Sequence, residues 1–249
     1  MDTPKNSIQF KVWGRYALFT DPITKMGGER CSYHIPTYEA LKGISKSIYW
    51  KPTLVWHIDK VRILKPIRTQ TKGTKPLKMS GGNDLAIYTF LVDVEYQVLA
   101  HFEWNMYRPE LANDRIEGKH FQIAQRMLER GGRQDVFLGT RDCQGYAEPC
   151  IFGEGNGYFD EIDEVQYGLM FHSFGYPDET GEDKLITRFW RPIMKNGVIN
   201  FTNTEDKANI IKEIRPMRAK IFYDGTNLKN TEHEYNELHL QTGTEDGKL

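Results

Sequence analysis

Hydrophobic and polar positions alternate most clearly over residues 85–104. Val92, Val94, Tyr96, Val98, Ala100, Phe102 and Trp104 fall on one face, and Asp93, Glu95 and Gln97 on the other. A period of two over that length predicts a half-buried strand, bent or broken into two. The same period marks residues 8–13 (IQFKVW), which bring Ile8, Phe10 and Val12 together. Residues 54–67 are also β-rich, but Trp56 and Ile58 are out of phase with Val61 and Ile63, which predicts a bulge near Asp59 and Lys60. Elsewhere the period lengthens to that of a helix. After Pro36, residues 37–50 place Leu41, Ile44 and Ile48 at helical spacing, with Thr37 as N-cap and Pro52 just past the end. Residues 113–130 carry a second apolar stripe of Ile116, Ile123, Ala124, Met127 and Leu128, stopped by Gly131 and Gly132. Residues 135–138 (DVFL) start a further strand.

The order is β-α-β-β-α-β, an α+β pattern that predicts a ferredoxin-like (RRM-like) domain, a topology shared by many RNA-binding modules. Topology alone does not establish a function. Residues 68–84 interrupt the pattern as a basic, Gly-containing connector, the expected tip of a mobile hairpin. Beyond about residue 148 the chain turns acidic and Gly153, Gly155 and Gly157 form a linker. Three β-rich pieces, 164–173, 184–194 and 210–223, predict a small antiparallel sheet. The expected layout is a ferredoxin-like RNA-binding and catalytic domain over 1–150, a small antiparallel β domain over 151–225, and a tail over 226–249 that is disordered or loosely docked.

Composition narrows the class. The chain has 249 residues, enough to bury a core without disulfides. It has no apolar run near the ~20 residues of a membrane helix and no apolar leader at its start, so a soluble cytoplasmic protein is expected. Cys31, Cys143 and Cys150 form no CxxC pair and no zinc spacing, which points to reduced thiols. The net charge of −1 conceals two opposed halves. Residues 1–133 hold 21 Lys and Arg against 13 Asp and Glu; residues 134–249 hold 12 against 21. From Lys42 to Lys78 there are ten basic residues and one acid, Asp59. That is the footprint expected for a polyphosphate backbone, with a solvated basic face as the plain alternative. Lys46, Lys51, Arg68, Lys72, Lys75 and Lys78 are the candidate RNA contacts, and the four on the connector lack a nearby acid.

His120 is the anomaly of the second helix, because it falls on the apolar arc between Ile116 and Ile123. A lone histidine there is more often a satisfied core residue than a catalyst. Lys119 beside it changes the balance: a titratable proton carrier and a fixed cation near a helix N-terminus suit one phosphate. In a ferredoxin-like domain the end of the first helix approaches the start of the second, which makes Tyr49 a candidate to orient or deprotonate a ribose 2′-OH. Taken alone, Tyr49 reads as a packing aromatic. Other chemistries are weaker. GEGNG over 153–157 is neither a GxGxxG nor a P-loop, no HExxH is present, and Asp160, Glu161, Asp163 and Glu164 read as a solvated acidic run rather than a two-metal site. No metal site and no cofactor are expected.

Three blocks carry a resemblance: FKVWGRYALFTDP (10–22), ERCSYHIPTYEALKGISKSIYWKPTLVWHIDKVRILKPI (29–67) and YRPELANDRIEGKHFQIAQRMLERGGRQDVFLGTRDCQGYAEP (107–149). The chain resembles the Cas-five family of CRISPR-associated RAMP proteins, d-subtype, of type I-C systems. The resemblance implies a metal-independent endoribonuclease. Such a protein cuts the repeat hairpin of precursor CRISPR RNA, leaves 5′-hydroxyl and 2′,3′-cyclic phosphate ends, and stays bound with the other subunits of the type I-C surveillance complex. The family's catalytic Tyr matches Tyr49 in SIYWKP, and its Lys-His pair matches Lys119 and His120 in EGKH. On this reading Lys119 stabilises the phosphorane and His120 donates to the leaving 5′-oxygen, while the assignment of acid and base stays open. A glycine-rich loop near the C-terminus, frequent in RAMP proteins, has no counterpart here. The rivals are a non-catalytic scaffold that only holds guide RNA, and a metal-dependent nuclease built on the acidic half.

Overall fold

The structure is a computed structural model that describes residues 5–21, 24 and 29–219. It is mixed α/β, with two sheets whose pairings are antiparallel apart from one short parallel contact. The main sheet is assembled around β5 (Ala86–Trp104), which runs unbroken for 19 residues. β1 (Ser7–Ala17) pairs along one edge of β5, and β3 (Leu54–Ile63) pairs along the other. The phase change in β3 is a register shift between Ile58 and Lys60, where the pattern placed the bulge. β7 (Gln144–Pro149) lies on the far side of β1, giving the order β7-β1-β5-β3. The expected strand over 135–138 shrinks to β6 (Val136–Phe137), a short partner of β7. Sequence pattern missed β7 because only Gly145 and Ala147 of its six residues are buried.

α1 (Tyr38–Ile48) begins at the expected cap, where the Thr37 hydroxyl accepts from the Ala40 amide. Its buried face, Leu41, Ile44 and Ile48, packs into one core with Phe10, Val12, Trp56, Val98 and Phe102 from the sheet. α2 (Lys119–Glu129) starts six residues later than the expected helix. Residues Pro109–Asp114 form a separate 3-10 turn, and Gly118 is left-handed at φ 74°, so the two pieces cannot be continuous. Ile116 therefore leaves the stripe and is exposed. At the other end Gly132 donates to Met127 O and Gly131 to Leu128 O, the expected glycine stop.

The connector over 68–84 is more ordered than its composition suggested. β4 (Thr69–Thr74) pairs with the start of β5, and an isolated Leu77–Asn83 bridge closes the tip. β2 (Glu29–Cys31) makes the parallel contact with β5.

The three β-rich pieces of the second half do not form one sheet. β9 (Met170–Gly175), β10 (Lys184–Trp190) and β13 (Ile210–Pro216) make a three-stranded antiparallel sheet as expected. β8 (Glu164–Gln166), β11 (Ile193–Lys195) and β12 (Val198–Asn200) instead extend the main sheet, with β12 pairing onto β3. Strands of three residues carry too little alternation to reveal such pairing. Arg62 reinforces the junction. It is buried, pairs with Asp160, and donates to Gln97, Glu154 O and Gly155 O, so it holds the glycine-rich linker against the sheet. A four-residue helix, α3 (Pro177–Thr180), brings Glu179 to Lys42 and Lys46 of α1. No helix among the described residues is long and apolar enough to cross a membrane. The tail over 226–249 lies outside the described residues.

Candidate active site

Three local decisions bring the end of α1 to the start of α2. α1 stops because Tyr49 is extended at φ −159° and ψ 130°. The last carbonyls of α1 are taken by the chain leaving α2: Arg133 and Gln134 amides donate to Ser47 O, and Arg133 also to Ile48 O. Gly132 permits this turn, since a Cβ there would sit 3.0 Å from Gln134 O at a φ of +119°. The Trp56 indole then donates to the backbone carbonyl of Tyr49 at 2.8 Å, anchoring the main chain from which the tyrosine ring projects.

The result is a direct hydrogen bond between Tyr49 Oη and His120 Nδ1, 2.8 Å long. The other ring nitrogen, Nε2, lies 2.7 Å from Asp114 O. A carbonyl only accepts, so Nε2 carries the proton, and in the neutral ring Nδ1 accepts from the tyrosine hydroxyl. Trp104 packs edge-on against the imidazole at 5.6 Å. Asp114 organises the outer side. Its carboxylate takes Lys119 Nζ at 2.8 Å and the Thr53 hydroxyl at 2.8 Å, and lies 3.4 Å from His120 Nε2. The hydrogen bond from Lys119, helped by Thr53 and His120, holds the Asp114 carboxyl below its usual range. Burial, with the nearby Asp114 charge, pushes the Tyr49 hydroxyl up, so it stays protonated and serves as a donor.

Accessibility divides the set. Tyr49 is 2% exposed and His120 1%, with both ring nitrogens satisfied by protein groups. Lys119, at 42%, faces solvent. The anticipated juxtaposition of Tyr49, Lys119 and His120 is present, but direct delivery of a proton from His120 to an incoming phosphate is not available in this arrangement. Asp114 went unnoticed in the sequence. Its place depends on the 3-10 turn, and no spacing rule links it to His120 six residues on.

The basic residues are not the unpaired array that composition suggested. Lys46 pairs with Glu179 at 3.0 Å, Arg68 with Asp93 at 3.3 Å and Lys78 with Asp84 at 3.6 Å. Lys72 sits 3.5 Å over the Tyr16 ring. Lys51 and Lys75 are exposed. Arg68 and Lys78 found acids just across the hairpin, which linear distance along the chain concealed. Lys42 and Arg62 are buried in ion pairs and leave the basic face altogether. In the acidic half, Asp160 is engaged by Arg62 and Glu164 by Lys195. Among the described residues no group of three or more His, Cys, Asp or Glu is arranged to hold a metal ion.

Comparison with known proteins agrees with this architecture. A CRISPR pre-crRNA endoribonuclease Cas5d of Mannheimia succiniciproducens is 28% identical over 224 residues, covering 78% of this chain and 94% of that protein. One from Thermus thermophilus is 30% identical over 195 residues, covering 74% and 80%. A crystal structure of a CRISPR-associated protein superposes with a TM-score of 0.69 at 33% identity, over 83% of this chain and 96% of that one. The family model for the CRISPR-associated protein Cas5, in its Cas5d form, matches residues 7–202, and the chain belongs to that family.

Proposed function

We propose that this protein is an endoribonuclease that cleaves the repeat hairpin of precursor CRISPR RNA. It then remains bound to the product within a type I-C surveillance complex. Its similarity to proteins named pre-crRNA endoribonucleases supports the substrate. The order β7-β1-β5-β3, with a helix after β1 and another after β5, supports reading residues 1–150 as a ferredoxin-like RNA-binding and catalytic region. Residues 151–219 serve as an accessory β region laced into it. The observation that carries the chemistry is the buried Tyr49–His120 hydrogen bond beside an exposed Lys119.

In this mechanism a ribose 2′-OH attacks the adjacent phosphate, and no metal takes part. Lys119 exchanges Asp114 for a phosphate oxygen and stabilises the charge that develops there. That exchange removes one of the contacts holding the 3-10 turn over His120. The loosened turn lets the Tyr49–His120 pair reach the scissile linkage and move the proton. Lys46, Lys51, Arg68, Lys72, Lys75 and Lys78 contact the RNA backbone, which for Lys46, Arg68 and Lys78 competes with Glu179, Asp93 and Asp84.

A second reading has a specific observation behind it. Two buried rings with every polar atom satisfied is also what a structural pair looks like, and the protein would then be a scaffold that holds guide RNA without cutting it. Incubation with a synthetic repeat hairpin in EDTA separates the readings. Cleavage to 5′-hydroxyl and 2′,3′-cyclic phosphate ends is expected. Binding without cleavage supports the scaffold, and cleavage that only added divalent metal restores overturns the metal-free mechanism.

A further inference from the structure

A cavity of about 310 Å³ opens where β3 begins and β5 ends, beside α1 and β10. It backs onto the candidate active site, because two of its wall residues, Trp56 and Trp104, are the ones that hold Tyr49 O and pack on His120. Its size falls at the small end of pockets that take compact organic ligands. Tyr38 and Phe174 supply more aromatic wall, and Tyr107 stands exposed at the mouth.

The informative residue is Arg188. It lines this cavity and is only 6% exposed, yet it has no ion-pair partner among the described residues. Its Nη1 donates to Phe174 O at 3.2 Å, and its buried Nε donates to no protein group. The acids around it are committed or exposed, and Glu39 accepts from the Phe174 amide. Glu179 is shared by Lys42 and Lys46, and Glu103 and Glu205 lie on the exposed rim. Burial lowers the affinity of this guanidinium for its proton, with Tyr38 and Glu179 opposing the effect. A buried cation with unsatisfied donors is costly to a folded protein unless something accepts from it.

We propose that this cavity is a subsite for one unstacked guanine base of the RNA, read by Arg188. When the guanidinium turns so that its Nε edge, sealed in this structure, faces the cavity, that edge matches the paired O6 and N7 acceptors of guanine, the commonest specific contact between arginine and a base. The aromatic walls give the base a stacking surface, as single-stranded RNA recognition requires. The rim carboxylates of Glu103 and Glu205 accept from the N1–H and N2 amine that guanine carries and adenine does not present in that pattern. Phosphate is a poorer fit, because the backbone would have to follow its charge past two carboxylates to reach Arg188. The subsite rests on the proposed RNA substrate and adds base recognition at a position next to the cut.

The test uses full-length protein and does not need cleavage. Intrinsic tryptophan fluorescence is titrated with GMP, AMP, CMP and UMP, with inorganic phosphate as control. GMP is expected to bind saturably and at least tenfold tighter than the other three. Arg188→Met, which keeps the volume of the side chain, should weaken GMP at least tenfold, and the exposed Glu205→Gln should weaken it severalfold without lowering the melting temperature. Equal binding of all four nucleotides, phosphate as strong as GMP, or an Arg188→Met variant that is folded and binds GMP normally would each overturn the proposal. Specific GMP binding by a protein that fails to cut the hairpin would retain the subsite and refute the nuclease reading instead.

Discussion

Replacing Tyr49 with Phe removes one oxygen and keeps the ring, so it isolates the contribution of the Tyr49–His120 hydrogen bond. Packing against α1 and Trp56 is unchanged and no cavity forms. What changes is His120 Nδ1, which loses its donor at a position 1% exposed. A buried acceptor left without a partner costs about 1–3 kcal/mol. For a chain of this size each kcal/mol lowers the melting temperature by about 2–4 °C, so the variant should melt a few degrees early yet stay folded at assay temperature. The effect on rate is of another order. A positioned proton-transfer group contributes ~10²–10⁴. The assay is single-turnover cleavage of a repeat hairpin at saturating protein, beside thermal unfolding of the same preparation. A loss of at least a hundredfold in rate, with hairpin affinity within about twofold, is expected. If the melting temperature drops while the rate holds, the hydrogen bond is purely structural and the catalytic assignment of Tyr49 fails.

Three further outcomes test neighbouring parts of the argument. His120→Gln should reduce single-turnover cleavage by ~10²–10⁴ and spare RNA binding; a folded variant that cuts at the wild-type rate would leave His120 as a core residue. Changing Lys72, Lys75 and Lys78 together to Ala should weaken hairpin binding and flatten the plot of log affinity against log salt by about two units. An unchanged slope would locate the RNA elsewhere. His172 is fully buried, donates Nε2–H to Thr202 O, and is pushed down to about 4 by burial. Its folded value lies below its unfolded one, so the unfolded chain binds the extra proton and stability is lost as pH falls from about 6.5 towards 4, by up to about 3 kcal/mol. His172→Phe should remove that part of the acid sensitivity in urea melts at pH 5 and 7, and an identical pH dependence in both proteins would refute the assignment.

The parts of the fold that were legible in the sequence are those governed by neighbours along the chain. The alternation of β5, the bulge at Ile58–Lys60, the Thr37 cap and the Gly131–Gly132 stop all follow from local sterics and local hydrogen bonding. The approach of Tyr49 to His120 was legible as well, because it follows from where two helices end. Three features were not. The late start of α2 turned on Gly118 adopting φ 74° inside a stretch that also suits a helix. Asp114 reaches the site only through that same break. The pairing of Arg68 with Asp93 and of Lys78 with Asp84 depends on hairpin closure, which separates partners in sequence while joining them in space.

The pairing of β12 onto β3 sets the order in which this protein can be completed as it is made. Arg62 faces Val198 across that ladder, so the strand must wait for 136 more residues to be synthesised. At ~5–20 residues per second that is roughly 7 to 27 s during which one margin of the main sheet stays open. An unpaired strand margin is a template for the wrong partner, including a second nascent copy. β5 pairs along the whole of β3 on its other edge, so the stretch that waits for β12 is Lys60 to Arg62. Two of its three residues are cationic, and that charge repels a like margin on another chain until Val198–Asn200 arrives to cover it.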